Sequence, residues 1–467
     1  METKILQFGE GNFLRCFIDW MVQKMNDRAG FDGKVQIIQP IGDELSVPSK
    51  ILNDRGGKYH TCLRGIIGGK TVEEIEEISS VAGVDVAANV EKYAALPSLR
   101  FVVSNTTEAG IQYVKGQDTF PAKVLRLLRA RFAAKLPGLV FIPCELIEHN
   151  GDNLKACVLK HLADEPDPAL AEYIVNECVF CSTLVDRIVA GRPDPESAAR
   201  YAEKLGEKDE VLVCGEPFHF FVVETPAGFD LEKELPLKAA GVNVVYTPDM
   251  QPYRTRKVRF LNATHTTMVY RGLEKGFTEV AQCIADPEFN KFVRQVIFDE
   301  IFPTVALPDA EKKEYAESVL ERFANPFAHH QLKSIALNTI AKWKTRCLPV
   351  VCDYYAKFGK LPAAMIEGYE AIARHYDAAK GRRVRLKHDT KGKAAMRTAA
   401  VILAGLAVAA TVAGCESPRH HHRHQPQVVV PPPHHHKHHK GAIPPPVHSR
   451  APRSGNIPPP IPPPIRH

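Results

Sequence analysis

The first 395 residues of the chain lack an excess of charge of either sign. The whole chain carries a formal net charge of +6, but the segment from Met396 onward contributes +7 of it, so the remaining body is close to neutral. A neutral body gives no electrostatic reason to expect binding to nucleic acid. No nucleic-acid partner is therefore expected.

The sequence also lacks the paired cysteine motifs that hold structural zinc. Its eleven cysteines include a lone C-x-x-C, Cys178 and Cys181, without a second pair at zinc-ligand spacing. Buried thiols in a reducing cytosol are the favoured interpretation. The N-terminus carries no secretory signal, because residues 1–13 run directly into a strand-like segment. The body is therefore expected to be cytoplasmic and to hold no metal.

The body of the chain has two parts that differ in the pattern of their apolar residues. Over residues 1–245, short apolar runs rich in β-branched and aromatic residues alternate with helical stretches. This alternation predicts an α/β domain whose parallel sheet is covered by helices on both faces. Residues 246–393 instead carry apolar residues at helical spacing, which predicts an all-α substrate and catalytic domain.

The C-terminal part of the chain follows neither of these two patterns. Residues 396–415 have the layout of a bacterial lipoprotein signal, with an apolar run followed by Cys415 in the lipidated position. Residues 416–467 are rich in Pro and His and predict a disordered tail. Our preferred hypothesis is a join of two reading frames that leaves the helical domain truncated. The alternative is a genuine membrane anchor, for which the run is barely long enough.

The segment QFGEGNFLR, residues 7–15, lies between a predicted strand and a predicted helix. Gly9 permits a tight turn, Gly11 lets the backbone approach a pyrophosphate, and the helix start offers free N–H groups to phosphates. Leu14 replaces the third glycine of the usual fingerprint, so a simple turn remains an alternative. The interpretation that we carry forward is a Rossmann-type turn for a dinucleotide. Its candidate cofactor contacts are Gly9, Gly11, Asn12, Phe13 and Arg15.

Two later segments bear on the same cofactor. After the second predicted strand, Gln39, Pro40 and Asp43 form an incomplete ribose fingerprint, which does not separate NAD from NADP. The segment SNTTEAGI, residues 104–111, follows another strand, and ligands bind at the carboxyl ends of such strands. Its polar side chains would line a nicotinamide pocket, although a helix N-cap explains them equally well.

The third motif is KVRFLNATH, residues 257–265, at the start of the predicted helical domain. On an α-helix, Asn262 lies about 140° around from Lys257 and His265 about 80°, so the three share one half of the helix. Lys and His side chains can exchange protons, and Asn and His can donate hydrogen bonds to a carbonyl oxygen that becomes an alkoxide. A solvated face is the common explanation of such spacing. The position beside a predicted dinucleotide domain favours metal-free carbonyl reduction.

Six motifs in this order resemble the mannitol dehydrogenase family of long-chain polyol dehydrogenases. They are FGEGNFLR, SNTTEAGI, PCELIEHNG, LVDRI, GEPF and KVRFLNATH. The resemblance covers roughly residues 3–390 and is most specific at the Lys-x4-Asn-x2-His spacing, the catalytic signature of that family.

The resemblance implies a Rossmann-type domain, a helical C-terminal domain and zinc-independent hydride transfer with NAD. Lys257 matches the catalytic acid/base of the family, and Asn262 and His265 match the residues that hold and polarise the reacting oxygen. The remaining matches are Thr106, Thr107 and Glu108 on the nicotinamide side, and Asp186 and Arg187 near the substrate.

The chain departs from the mannitol enzymes at two positions, and the second departure points to a sugar acid. Leu146 stands where those enzymes carry an Asn that helps to bind the oxyanion, and Arg254 replaces an acidic residue three positions before the lysine. A guanidinium binds a carboxylate through two parallel hydrogen bonds. We therefore predict that Arg254 or Arg256 binds the carboxylate of a hexuronate. Within the family, the chain is most similar to the members that interconvert tagaturonate and altronate.

Two alternatives stay open. Within the family, the chain would be a reductase of the fructuronate or mannitol type. From a different class, it would be a non-catalytic, truncated fusion whose His-rich tail binds metal. Contact with a membrane is expected only if residues 396–415 are a genuine anchor.

Overall fold

The computed structural model describes residues 1–107 and 109–379. The predictions made for Glu108, residues 396–415 and residues 416–467 lie outside those ranges. The strands are β1 (Glu2–Phe8), β2 (Gly33–Gln39), β3 (Tyr59–Ile67), β4 (Lys70–Ile78), β5 (Val81–Val86), β6 (Phe101–Ser104), β7 (Val140–Pro143), β8 (Val179–Phe180), β9 (Ser182–Asp186), β10 (Val189–Gly191), β11 (Val213–Gly215), β12 (Phe220–Glu224) and β13 (Val244–Thr247).

Helices alternate with these strands and then continue alone. The α-helices are α1 (Asn12–Ala29), α2 (Val47–Asp54), α3 (Phe120–Ala133), α4 (Asn150–Asp164), α5 (Pro168–Asn176), α6 (Pro195–Leu205), α7 (Leu231–Glu234), α8 (Gln251–Lys257), α9 (Thr264–Glu274), α10 (Val280–Ala285), α11 (Pro287–Arg294), α12 (Asp309–Phe323), α13 (Leu332–Ile335), α14 (Thr339–Lys342), α15 (Leu348–Phe358) and α16 (Ala363–Ala379). The π-helices are Val258–Ala263, Gln295–Ile301 and Trp343–Cys347, and the 3-10 helices are Ala87–Tyr93 and Phe302–Thr304.

The main sheet has six strands in the order β5-β2-β1-β6-β7-β8. Every neighbouring pair in it runs parallel. Counted within this sheet alone, the order is 3-2-1-4-5-6, which is that of a Rossmann fold. The direction of winding reverses between β1 and β6, and ligands bind at such a reversal. The predicted Rossmann-type parallel sheet is confirmed.

Both faces of the main sheet are buried, as predicted. Successive side chains of a strand point to opposite faces. Ile5 of β1 packs in a core with Phe17 of α1, whereas Leu6 and Phe8 pack in a second core with Val124 of α3. This packing fixes the end of β1 and the start of α1 against the same sheet, where the glycine turn lies.

Two smaller sheets depart from the predicted single parallel sheet. One has the order β10-β11-β3-β4 and the other β13-β12-β9, and both contain antiparallel pairs. The pattern favoured a place in the parallel sheet for the apolar run that contains β11, but β11 pairs with β3 instead. The hairpin β3–β4 turns at Gly68 and Gly69, whose φ values of 58° and 75° suit a tight hairpin turn. Local pattern does not fix pairing partners, because sheet pairing depends on long-range contacts.

From Gln251 onward the described chain is helical, as predicted. One core holds this part together, with Phe260, Val269, Val293 and Ile297 among its buried residues. Within the described residues, no helix combines the length and the apolar character needed to cross a membrane.

Candidate active site

The glycine turn after β1 opens at the reversal point of the main sheet. Gly9 has φ +125°, which side-chain-bearing residues rarely adopt, and a Cβ there would lie 3.0 Å from the carbonyl oxygen of Asn105. Gly11 is the N-cap of α1, so no side chain at this position caps the helix. A Cβ at Gly11 would meet no described atom within 4 Å. The space beside Gly11 is therefore open, and the free N–H groups at the start of a helix would suit a pyrophosphate there.

Arg15 does not face this opening. Its guanidinium donates hydrogen bonds to the carbonyl oxygens of Glu10 (3.2 Å) and Val211 (2.5 Å) and to Oδ1 of Asn12 (2.8 Å). Phe13 packs against the core, with its ring stacked on that of Phe17 at 5.1 Å. The structure thus gives these side chains a role in holding the turn, and the backbone is what it offers to a cofactor.

A second opening lies at the carboxyl end of β2. It is a cavity of about 420 Å³ whose lining includes Pro40, Asp43, Lys123 and Arg126. The side chain of Gln39 shapes its entrance by donating to the carbonyl oxygens of Ile41 and Glu44 at 2.9 and 2.8 Å. In a Rossmann fold the residues at this strand end lie where the ribose binds.

The segment after β6 is fastened to the segment after β7 by one buried carboxylate. Glu145 accepts hydrogen bonds from the backbone N–H and Oγ1 of Thr106, both at 3.0 Å, and from Oγ of Ser104 at 3.0 Å. Burial raises the pKa of Glu145 even though these hydrogen bonds oppose the shift. Thr107 has φ +84°. Glu145 was not singled out from the sequence, although its place directly after a predicted strand is the signal for it.

The helix that carries Lys257, Asn262 and His265 is not a regular α-helix. α8 ends at Lys257, a π-helix follows over Val258–Ala263, and α9 continues from Thr264. Hydrogen bonds of a π-helix join residues five apart, so Lys257 and Asn262 come onto the same side. The predicted separation of about 140° assumes the α-helical advance per residue and is wrong for this segment.

Lys257 projects toward the end of β9. Its Nζ donates a hydrogen bond to the carbonyl oxygen of Val185 at 2.7 Å and lies 3.9 Å from Oδ1 of Asp186. Burial lowers the pKa of Lys257, because the charged ammonium is removed from water, and the negative charge of Asp186 only partly compensates. A lysine in this environment exchanges its proton at lower pH than an exposed one.

Asp186 belongs to a buried network that joins the two parts of the chain. Its carboxylate accepts from Nη2 of Arg322 at 2.9 Å and from the hydroxyl of Tyr315 at 2.7 Å. Arg322 also pairs with Glu216 at 2.8 Å. Burial raises the pKa of Asp186, but Arg322 and Lys257 outweigh it, so the net shift is downward. Tyr315 and Arg322 were not predicted from the sequence, since nothing in the spacing of α12 distinguishes them.

His265 is buried, and its Nε2 has no hydrogen-bond partner among the described residues. Its ring stacks on Phe323 at 4.3 Å and meets the ring of His330 edge-on at 4.8 Å. Burial lowers the pKa of His265 well below its ordinary value, and the positive charges nearby add to the shift. The imidazole is therefore neutral near pH 7. The side-chain amide of the half-buried Asn262 likewise makes no hydrogen bond to a described residue.

The structure does not bring Arg187 to this group. Its guanidinium donates to the carbonyl oxygens of Cys16 (2.6 Å), Phe218 (3.2 Å) and Pro217 (3.3 Å) and stacks over Trp20 at 4.2 Å. Each of these hydrogen bonds goes to a carbonyl oxygen of the protein, so Arg187 has a structural role.

Arg254 and Arg256 diverge from each other. Nη1 of Arg254 lies 3.1 Å from Oε1 of the exposed Glu148. The guanidinium of Arg256 is buried over the rings of Phe220 and Tyr315, at 4.4 and 4.3 Å. Arg254, which is half-buried, thus pairs with an exposed carboxylate, while Arg256 lies on the side of the helix that contacts aromatic residues.

Two protein-family profiles match the chain. Residues 3–236 match the mannitol dehydrogenase Rossmann domain, and residues 249–413 match the mannitol dehydrogenase C-terminal domain. The chain belongs to the mannitol dehydrogenase family. The predicted resemblance is thereby confirmed.

Characterised relatives and solved structures support the same placement. The mannitol dehydrogenase family chain is 40% identical over 390 residues to the altronate oxidoreductase of Bacillus subtilis (strain 168), covering 80% of the chain and 79% of that protein. It is 39% identical over 390 residues to the altronate oxidoreductase of Yersinia enterocolitica, covering 80% of each.

Two solved structures share the fold. They are a D-sorbitol dehydrogenase in substrate-free form, with TM-score 0.69 and 22% identity over 79% of this chain and 80% of that one, and Pseudomonas fluorescens mannitol 2-dehydrogenase in a ternary complex with NAD and D-mannitol, with TM-score 0.62 and 21% identity over 81% and 80%. At this level of identity, the two structures show the fold of the chain.

Proposed function

We propose that the chain is an NAD(H)-dependent reductase that interconverts tagaturonate and altronate. The observation that carries the proposal is the juxtaposition, on one helical segment, of a half-buried lysine with lowered pKa and a neutral imidazole whose Nε2 has no partner among the described residues. The names of the relatives, altronate oxidoreductases at about 40% identity, favour this substrate pair over a neutral polyol.

The residues that would hold the dinucleotide lie along the carboxyl edge of the main sheet. The N–H groups at the start of α1, beside Gly9 and Gly11, would bind the pyrophosphate. The cavity next to Pro40 and Asp43 would receive the ribose. When bound, the nicotinamide supplies or accepts the hydride. Thr106, held by Glu145, lies on the strand end where the nicotinamide side is expected.

Lys257, Asn262 and His265 would act on the reacting oxygen. The amide of Asn262 and Nε2–H of His265 would donate hydrogen bonds to it as negative charge develops. Lys257 Nζ would deliver the proton that completes the hydroxyl, and would take it back in the oxidation direction. The carbonyl oxygen of Val185 and the carboxylate of Asp186 hold Nζ in place for this transfer.

Replacing the lysine tests the proposal directly. Lys257→Ala should lower the turnover of tagaturonate with NADH by about 10²- to 10⁴-fold, because general acid catalysis is worth that much. Binding of NADH, measured by fluorescence titration, should be unchanged. Lys344→Ala, which removes an exposed lysine from the helical domain, is the control and should keep full activity. Full activity of Lys257→Ala, or no turnover of tagaturonate by the unaltered chain, would reject the proposal.

A further inference from the structure

Three half-buried basic side chains lie next to His265 without acidic partners. We name His330, Lys342 and Arg346 the basic cluster. Nζ of Lys342 donates only to the carbonyl oxygen of Ile335, at 2.9 Å, and Arg346 makes neither a hydrogen bond nor an ion pair with any described residue. Removing a cation from water without a counter-charge costs free energy, so such cations are candidates for binding an anion.

The helical segment that bears Lys342 and Arg346 packs directly against the segment that bears Asn262 and His265. Sγ of Cys347 contacts the carbonyl oxygen of Ala263 at 3.5 Å and Oγ1 of Thr267 at 3.7 Å. Arg346 immediately precedes this contact. The charges of Lys342 and Arg346 both act on the imidazole of His265, and the ring of His330 lies 4.8 Å from it. The cluster and the reacting-oxygen residues therefore adjoin each other.

The positive charges of the basic cluster are not balanced by carboxylates among the described residues. Asp186 and Glu216 act on Lys257, not on the basic cluster, and both are engaged by Arg322. Lys342 and Arg346 experience no carboxylate among the described residues. A ligand that carries a negative charge would restore neutrality, whereas a neutral polyol would leave the excess positive charge uncompensated.

We infer that the basic cluster binds the carboxylate of the sugar-acid substrate, with Arg346 and Lys342 as its charge-bearing ligands and His330 beside them. The inference rests on the proposed function and adds to it the residues that select an acid over a neutral ketose. It differs from the prediction of Arg254 or Arg256, because Arg254 already pairs with Glu148 and Arg256 lies between aromatic rings. The unpaired Nε2 of the buried His265 marks where the reacting end of the same ligand would lie.

The experiment compares three arginine and lysine replacements on two substrates. The kcat/KM values of Arg346→Gln, Lys342→Gln and Arg254→Gln would be measured with tagaturonate and with the neutral ketose tagatose. Lys344→Gln, an exposed lysine on the same π-helix as Arg346, is the matched control. Arg346→Gln should lose about ten- to a hundredfold on tagaturonate, the equivalent of one charge-assisted hydrogen bond. Its loss on tagatose should stay below about threefold.

A binding measurement keeps the test valid for a folded but inactive variant. Calorimetric titration with gluconate, a sugar acid without a keto group, should show weaker binding to Arg346→Gln and partial recovery in Arg346→Lys. Equal losses on both substrates, or a loss confined to Arg254→Gln, would overturn the inference while the proposed function stands. An unaltered chain that reduces tagatose but not tagaturonate would overturn both the proposed substrate and the inference.

Discussion

At the scale of single residues, the proposed acid–base chemistry depends on the pKa of Lys257, and two of its charged neighbours, Asp186 and Arg254, act on it with opposite signs. Burial lowers this pKa, Asp186 and Glu216 raise it, and Arg322 and Arg254 lower it. In keto-acid reduction the ammonium form must be present, so the rate should fall as pH rises through the pKa of Lys257. Each neighbour should therefore move that limb of the pH profile in a direction fixed by its charge.

Replacements of these two neighbours should shift the profile in opposite directions. Asp186→Asn removes a negative charge, lowers the pKa of Lys257 and moves the falling limb of kcat to lower pH. Arg254→Gln removes a positive charge, raises the pKa and moves the limb to higher pH. The measurement is kcat for tagaturonate reduction across the pH range with NADH in excess. General damage to the fold would lower both profiles without moving them, so shifts of the same sign would contradict the assignment of Lys257 as the acid.

At the scale of elements, the parts foreseen from the sequence are those with a local signal. The turn from β1 into α1 was predictable because two glycines, Gly9 and Gly11, directly after a strand themselves indicate a tight turn. The π-helix over Val258–Ala263 was not, because its residues suit an α-helix equally well and only the packing around them selects the wider turn. Arg346 was likewise not predicted, because it comes close to His265 only through the packing of two helical segments that are distant in sequence.

Behind the site, α16 packs on α9 where a glycine allows very close contact. A Cβ on Gly368 would lie 2.4 Å from the carbonyl oxygen of Thr267, two residues after His265. Gly368→Ala should therefore cost about 1–3 kcal/mol of unfolding free energy by overpacking, beyond the roughly 1 kcal/mol that alanine gains in a helix. Urea denaturation measures the loss. Glu367→Ala, which breaks an ion pair with Arg271 at the surface, should cost less than about 1 kcal/mol. Equal costs would contradict the close contact.

At the scale of the whole molecule, one buried arginine is central to the network that joins the sheet-bearing part to the helical part. Arg322 of α12 pairs with Asp186, at the end of β9, and with Glu216, which follows β11. The same Asp186 lies beside Lys257, so the connection between the two parts also positions the proposed acid. Predicting this link required knowledge of which strand ends meet α12, and that follows from the pairing of the small sheets rather than from any motif.

Loss of this arginine should weaken the whole structure, because it leaves the buried Glu216 without a counter-charge and leaves Asp186 with Lys257 alone. Arg322→Ala should lower the free energy of unfolding in urea by about 3–5 kcal/mol, the cost of breaking a buried ion pair from one side. Arg374→Ala removes an arginine that pairs with Glu274 at the surface, and should cost no more than about 1 kcal/mol. If the two variants lose the same stability, the buried network does not hold the two parts together. A loss only in Arg322→Ala, together with a changed pH profile of kcat, would show that the same contact both joins the two parts and positions Lys257.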